Sequence, residues 1–79
     1  MWEVEYEREA ANYLADNGQL VANLFFAMEA LAHTEGIPPN GMIQTQAGLF
    51  SAILERHQIV FRRDEMNRIV SIVAIQPPA

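Results

Sequence analysis

GLFSAILERHQIVFRRDEMNRIVSIVAIQ, residues 48–76, is the stretch that decides the fold. Phe50, Ala52 and Leu54 alternate with Ser51, Ile53 and Glu55, the period of a strand whose two faces meet different surroundings. Arg56-His57-Gln58 interrupts the pattern, and Ile59-Val60-Phe61 resumes it. Asp64-Glu65-Met66-Asn67 then turns the chain into Ile69-Val70-Ser71-Ile72-Val73-Ala74-Ile75, a run that is apolar on both faces. The reading is three antiparallel strands joined by two short polar turns. The last strand is expected inside the sheet, with helices over one face and a further cover, such as a second copy of the chain, over the other. Pro77-Pro78 ends it, because neither residue can donate to a ladder.

Upstream, Trp2, Val4 and Tyr6 alternate with Glu3, Glu5 and Glu7, which predicts an opening strand whose glutamates would discourage edge pairing if it lies at a sheet margin. From about Glu7 the pattern becomes helical, with Asn17-Gly18 as the stop. A second helix is expected from about Gln19 to Thr34, carrying a stripe of Leu20, Val21, Leu24, Phe25, Met28, Leu31 and Ala32. The tight link predicts a helical hairpin. Glu35-Gly36-Ile37-Pro38-Pro39-Asn40-Gly41 ends the second helix, and Met42–Ala47 shows no clear period, reading as an extended approach or an ordered loop. The expected fold is α+β: a small, mainly antiparallel sheet of about four strands in the order β-α-α-β-β-β. The N-terminal hairpin packs on one face through Leu20, Leu24, Phe25, Met28 and Leu31.

A chain of 79 residues is one domain. With 51% hydrophobic and 19% charged residues it can build one thin core, and self-association would help cover its apolar surface. The absence of cysteine excludes disulfides, thiolate metal sites and a cysteine nucleophile. The acidic opening residues lack the basic segment and apolar run of a secretory leader, and no apolar run reaches the roughly 20 residues of a membrane span. The expectation is a cytoplasmic protein without membrane contact or cofactor. A net charge of −5 argues against a broad grip on nucleic acid. The charge is uneven: residues 1–36 hold seven acids against Arg8 (−6), whereas residues 37–79 hold Arg56, Arg62, Arg63 and Arg68 against Glu55, Asp64 and Glu65 (+1).

Few residues offer chemistry. Arg56, Arg62, Arg63 and Arg68 are the candidates for holding a nucleic-acid phosphate; the alternative is a solvated face of weak ion pairs with Asp64 and Glu65. Glu55 and His57 at strand spacing could form a general-base pair or part of a metal site, but no third ligand is close, and a solvent-facing pair beside a turn is the plainer reading. His33 suits the end of a helix, where a cation is favoured. Ser51 and Ser71 lack the glycine-framed context of a strained nucleophile. For protein partners, Phe26 falls beside the main helical stripe, and Val70 and Ile72 belong to the two-sided apolar strand.

Over nearly its whole length the chain resembles the RelE/ParE superfamily of small bacterial and phage toxins. The resemblance rests on the strand Trp2-Glu3-Val4-Glu5-Tyr6, the helical pair, the Pro-containing loop, the entry Gly48-Leu49-Phe50, and Ile59-Val60-Phe61-Arg62 with an acidic turn before Arg68-Ile69-Val70. It implies a toxin of a toxin–antitoxin module, acting as a ribosome-associated mRNA endonuclease or as a gyrase poison, with an antitoxin protein as partner. The ribonuclease members carry basic residues where this chain has Ile53, Gln58 and Gln76-Pro77-Pro78-Ala79. That departure favours a degenerate toxin-like component over an active enzyme. The alternative is a non-catalytic, homodimeric interaction module that retains the toxin fold.

Overall fold

A computed structural model describes residues 1–78. In chain order it comprises strand β1 (Glu3–Tyr6), helix α1 (Arg8–Asn17), a 3-10 turn (Gly18–Val21), helix α2 (Ala22–Glu29) and a second 3-10 turn (Ala30–His33). Strands β2 (Ile43–Gln46), β3 (Leu49–Leu54), β4 (His57–Asp64) and β5 (Ile69–Gln76) complete the chain. The strands form one mixed sheet in the order β1-β5-β4-β3-β2. The class is α+β, as the periodicities predict.

Two details correct the expected layout, strand number and the helical hairpin, and a third, the direction of β1, completes it. The sheet has five strands rather than four, because Ile43–Gln46 pairs with β3 through a bulged register that the aperiodic Gln44-Thr45-Gln46 conceals. β2 to β5 form an antiparallel meander, but β1 lies parallel to β5, with Glu3 opposite Ile69 and Tyr6 opposite Ile72. Finally, the helical part is not a hairpin of two helices packed on each other. Residues 8–33 run as one helical segment broken at Gly18, where φ is +49°, and its two halves rest on the sheet more than on each other. The 3-10 turn winds at about three residues per turn instead of 3.6 and so rotates the phase of α2 relative to α1. Val21, Leu24, Met28 and Leu31 face the core, while Leu20, on the 3-10 turn, and Phe25, about 100° round α2 from Leu24, are exposed although both are expected there.

The core lies between this segment and one face of the sheet. Ala10, Val21, Leu24, Met28 and Leu31 meet Ala52, Leu54, Ile59, Phe61, Val70, Ile72 and Ile75, with Trp2 closing one end. Each buried large side chain contributes roughly 1.5–3 kcal/mol. Val70 and Ile72 are fully buried here, so they hold the monomer together and are not accessible to a partner. The apparent two-sidedness of β5 has a local cause: Phe61 pairs with Ile72 but Val60 pairs with Ala74, so Val73 is an extra residue that shifts the alternation. The inward set becomes Val70, Ile72 and Ile75.

Candidate functional site

The four arginines occupy three different places. Arg56 sits in the two-residue turn between β3 and β4, whereas Arg68 closes the turn between β4 and β5. Eight residues of β4 separate those turns, about 26 Å at strand rise. Arg62 lies on the sheet face away from the helices and reaches Glu7, its Nε 3.3 Å from a carboxylate oxygen. That pair is exposed and contributes no more than about 1 kcal/mol.

Arg63 is on the opposite face and only 11% exposed. Its Nε and Nη2 both donate to the backbone carbonyl of Glu35, at 3.1 and 2.7 Å, and Nη1 lies 3.5 Å from the Glu65 carboxylate. The guanidinium stands over the Trp2 ring, 5.1 Å from its centroid, a cation–π arrangement. Arg63 therefore caps the end of the helical segment and ties it to the sheet. Gly36 makes this approach possible: its φ is +72°, and a Cβ there would fall 2.6 Å from Val70 Cγ2 and 3.2 Å from Arg63 Nε. Arg63 and Arg68 do share a recess of about 560 Å³, along with Trp2, His33, Glu35 and Glu65. Two carboxylates balance its two arginines, and most of Arg63's donors are already engaged, so the recess is a poor phosphate cradle.

His57 is not paired with the Glu55 side chain. Its Nδ1 is 2.8 Å from the Glu55 backbone carbonyl, and its Nε2 is 3.1 Å from the Tyr13 hydroxyl. A carbonyl can only accept, so Nδ1 carries the proton and, in the neutral ring, Nε2 accepts from Tyr13. The ring bridges α1 and the β3–β4 turn, and no lone pair is left for a metal or a substrate proton. Among the described residues no group of three potential metal ligands converges. Tyr13 escaped sequence reasoning; its only signal was its place three residues after the buried Ala10 on one helical face.

A second hydrogen bond also went unforeseen. The Tyr6 hydroxyl donates to a Glu29 carboxylate oxygen at 2.5 Å. Burial, and then the adjacent carboxylate, push the Tyr6 phenol far above its ordinary value. Asp64 moves the other way. Its carboxylate accepts from the side chain and the backbone N–H of Asn67, which holds it below the usual range.

What the structure does assemble is surface. Among the described residues no helix covers the far face of the sheet, where the register aligns Ile43, Ser51, Val60 and Ala74 in one row and Ile53, Gln58 and Gln76 in the next. Ile43 is 73% exposed and Ile53 59%, with Leu49, Val60 and Val73 half-buried around them. Beside Ile43 a depression of about 610 Å³ runs between the loop at Asn40 and the strand residues Ser51, Ile53 and Gln58. The β1 margin of this face is acidic, through Glu3, Glu5 and Glu7. All four residues of the β2 edge are exposed and uncharged. Phe26 is exposed, at 66%, on the helical layer.

The chain matches no family model, no curated protein and no solved structure. Its function must be read from these surfaces. No helix is long and apolar enough to cross a membrane among the described residues.

Proposed function

We propose that this chain is a non-catalytic interaction module that pairs with a second copy of itself through the uncovered sheet face. The observation that carries the reading is the apolar field around Ile43, Ile53 and Val60 on a face that no helix protects. At strand spacings of about 4.8 Å and a rise of about 3.3 Å per residue, five short strands offer a flat area of roughly 500 Å². Two copies would bury about 1,000 Å² in total, the lower limit of a specific interface, so the dimer should be weak. The acidic β1 margins oppose close approach when unscreened, and added salt should favour association. Sedimentation equilibrium across micromolar concentrations tests this. Ile53→Asp, at an exposed position, should shift the protein to monomer; a wild-type chain that stays monomeric throughout overturns the reading.

The resemblance to the RelE/ParE superfamily carries the proposal further. The module would be a toxin-like component that has lost its catalytic cations, and an antitoxin segment could add to the free β2 edge, which offers four uncharged residues. Consistent with a lost nuclease site, two of the four arginines are engaged in intramolecular pairs. Induced expression should leave growth unaffected. Growth arrest relieved by Arg68→Ala would instead establish the nuclease.

A further inference from the structure

The helical layer carries a second apolar surface, at the seam between α1 and α2. Where the 3-10 turn holds α1 and α2 apart, a cleft of about 340 Å³ opens, lined by Leu14, Gly18, Gln19, Val21, Ala22 and Phe25. Phe25 stacks on Tyr6 on one side and meets Phe26 edge-on at 6.0 Å on the other. Leu20, 89% exposed, stands on the same turn as the cleft residues. The space beside Gly18 is open, with nothing within 4 Å of where a Cβ would be.

The charge on this layer restricts what fits. Residues 8–33 carry Glu9, Asp16 and Glu29 against Arg8 alone. All three acids are exposed, and among the described residues none is within 4 Å of a cationic side chain; Glu29, one turn beyond Phe25 and hydrogen-bonded to Tyr6, flanks the cleft, whereas Glu9 and Asp16 lie on the side of α1 away from Leu14 and act only through the overall charge. Uncompensated carboxylates repel an anionic membrane or an acidic protein. A second copy, itself at −5, meets the same repulsion. A cationic partner meets attraction instead, and a cleft of this size takes one or two large apolar side chains from a helix face.

We propose that the cleft between α1 and α2, extended by Phe26 and Leu20, receives an amphipathic helix with leucine or phenylalanine on one face and arginine or lysine on its flanks, supplied by a different protein. The site is separate from the sheet face and stands whether or not the chain dimerises.

The test is an NMR titration of the full chain with a peptide of about 14 residues that repeats leucine at i, i+3, i+4 and i+7 with arginine between. A counterpart with glutamate in place of each arginine serves as control. The arginine peptide should bind saturably with amide shifts confined to residues 14–29. Phe26→Ser should weaken it about tenfold or more while the circular dichroism spectrum stays unchanged. Glu29→Gln should weaken it several-fold and flatten its salt dependence. Ile53→Asp should bind the peptide as wild type does, which separates this site from the self-association face. The proposal is overturned by equal binding of the glutamate peptide, by shifts centred on Ile43 and Ile53, by no saturation below about 1 mM, or by an unchanged affinity in Phe26→Ser. A dimer that dissociates on Phe26→Ser also overturns it, because the patch would then be a self-interface.

Discussion

Arg63 and Gly36 together decide how the helical segment is anchored. Arg63 places two N–H groups on one carbonyl and a planar cation over Trp2, a geometry that a lysine ammonium cannot reproduce. Arg63→Ala should cost about 2–3 kcal/mol in urea unfolding, and Arg63→Lys should recover less than half of that. Gly36→Ala should cost at least about 2 kcal/mol, since it adds a positive-φ penalty to the clash with Val70. The sequence offered Arg63 as a phosphate ligand because nothing in its neighbours, Arg62 and Asp64, reveals the Glu35 carbonyl 28 positions away that accepts its protons. Tyr6 gives a spectroscopic check. Because its phenol pKa is raised in the folded state, its contribution to stability is complete below pH of about 10, the unfolded value, and is lost as pH rises through the folded one. The 295 nm absorbance of the folded protein at about pH 11 should therefore be the same in wild type and Tyr6→Phe, and a phenolate signal missing from the variant alone would contradict the half-buried setting of the Tyr6 phenol and its hydrogen bond to Glu29.

At the level of elements, the β3–β4 turn is where local chemistry and geometry disagree. Leu54 pairs with His57, and the two residues between them have φ of +47° at Glu55 and +67° at Arg56. Two-residue hairpin turns with both central residues left-handed strongly prefer Asn-Gly. Replacing the pair with Glu55→Asn and Arg56→Gly should raise stability by about 1–2 kcal/mol, seen as a higher thermal midpoint. The strain is met in part by His57, whose ring donates to the Glu55 carbonyl while it binds Tyr13; His57→Ala should lower stability by about 1 kcal/mol. Strands β1, β3, β4 and β5 were legible because alternation is a backbone property that survives without context. The helical phase was not. The expected stripe was drawn too broad: Phe25 lies about 100° round α2 from Leu24, at the margin of the buried face, and Leu20 stands on the 3-10 turn after Gly18, outside it. β2 was invisible because Gln44, Thr45 and Gln46 are exposed on both sides, which removes the contrast that alternation needs.

For the whole molecule, the sequence foretold the α+β class, and the structure has it, with the glutamate-bearing β1 at the sheet margin. Its functional surfaces were less legible, since the run Ile69–Ile75 reads as apolar on both faces and so made Val70 and Ile72 look available, whereas both face the helices and only Phe26 of the expected contact residues stays exposed. The parallel pairing of β1 with β5 has a consequence for the order of assembly. β2 to β5 meet through short turns, whereas Glu3 finds Ile69 only after nearly the entire chain is in place. Loop-closure entropy makes that contact late to form and early to open. In hydrogen exchange, the amides of Glu3 and Glu7, which bond to the carbonyls of Arg68 and Ile72, should exchange well before those in the centre of β4. When β1 lifts away it bares the edge of the most apolar strand in the protein, a ready template for intermolecular sheet growth. A four-residue strand bearing Glu3 and Glu5 is thus the guard on colloidal stability, and Val4→Asp, which loosens it without touching β5, should bring on thioflavin-positive aggregation at concentrations the wild type tolerates.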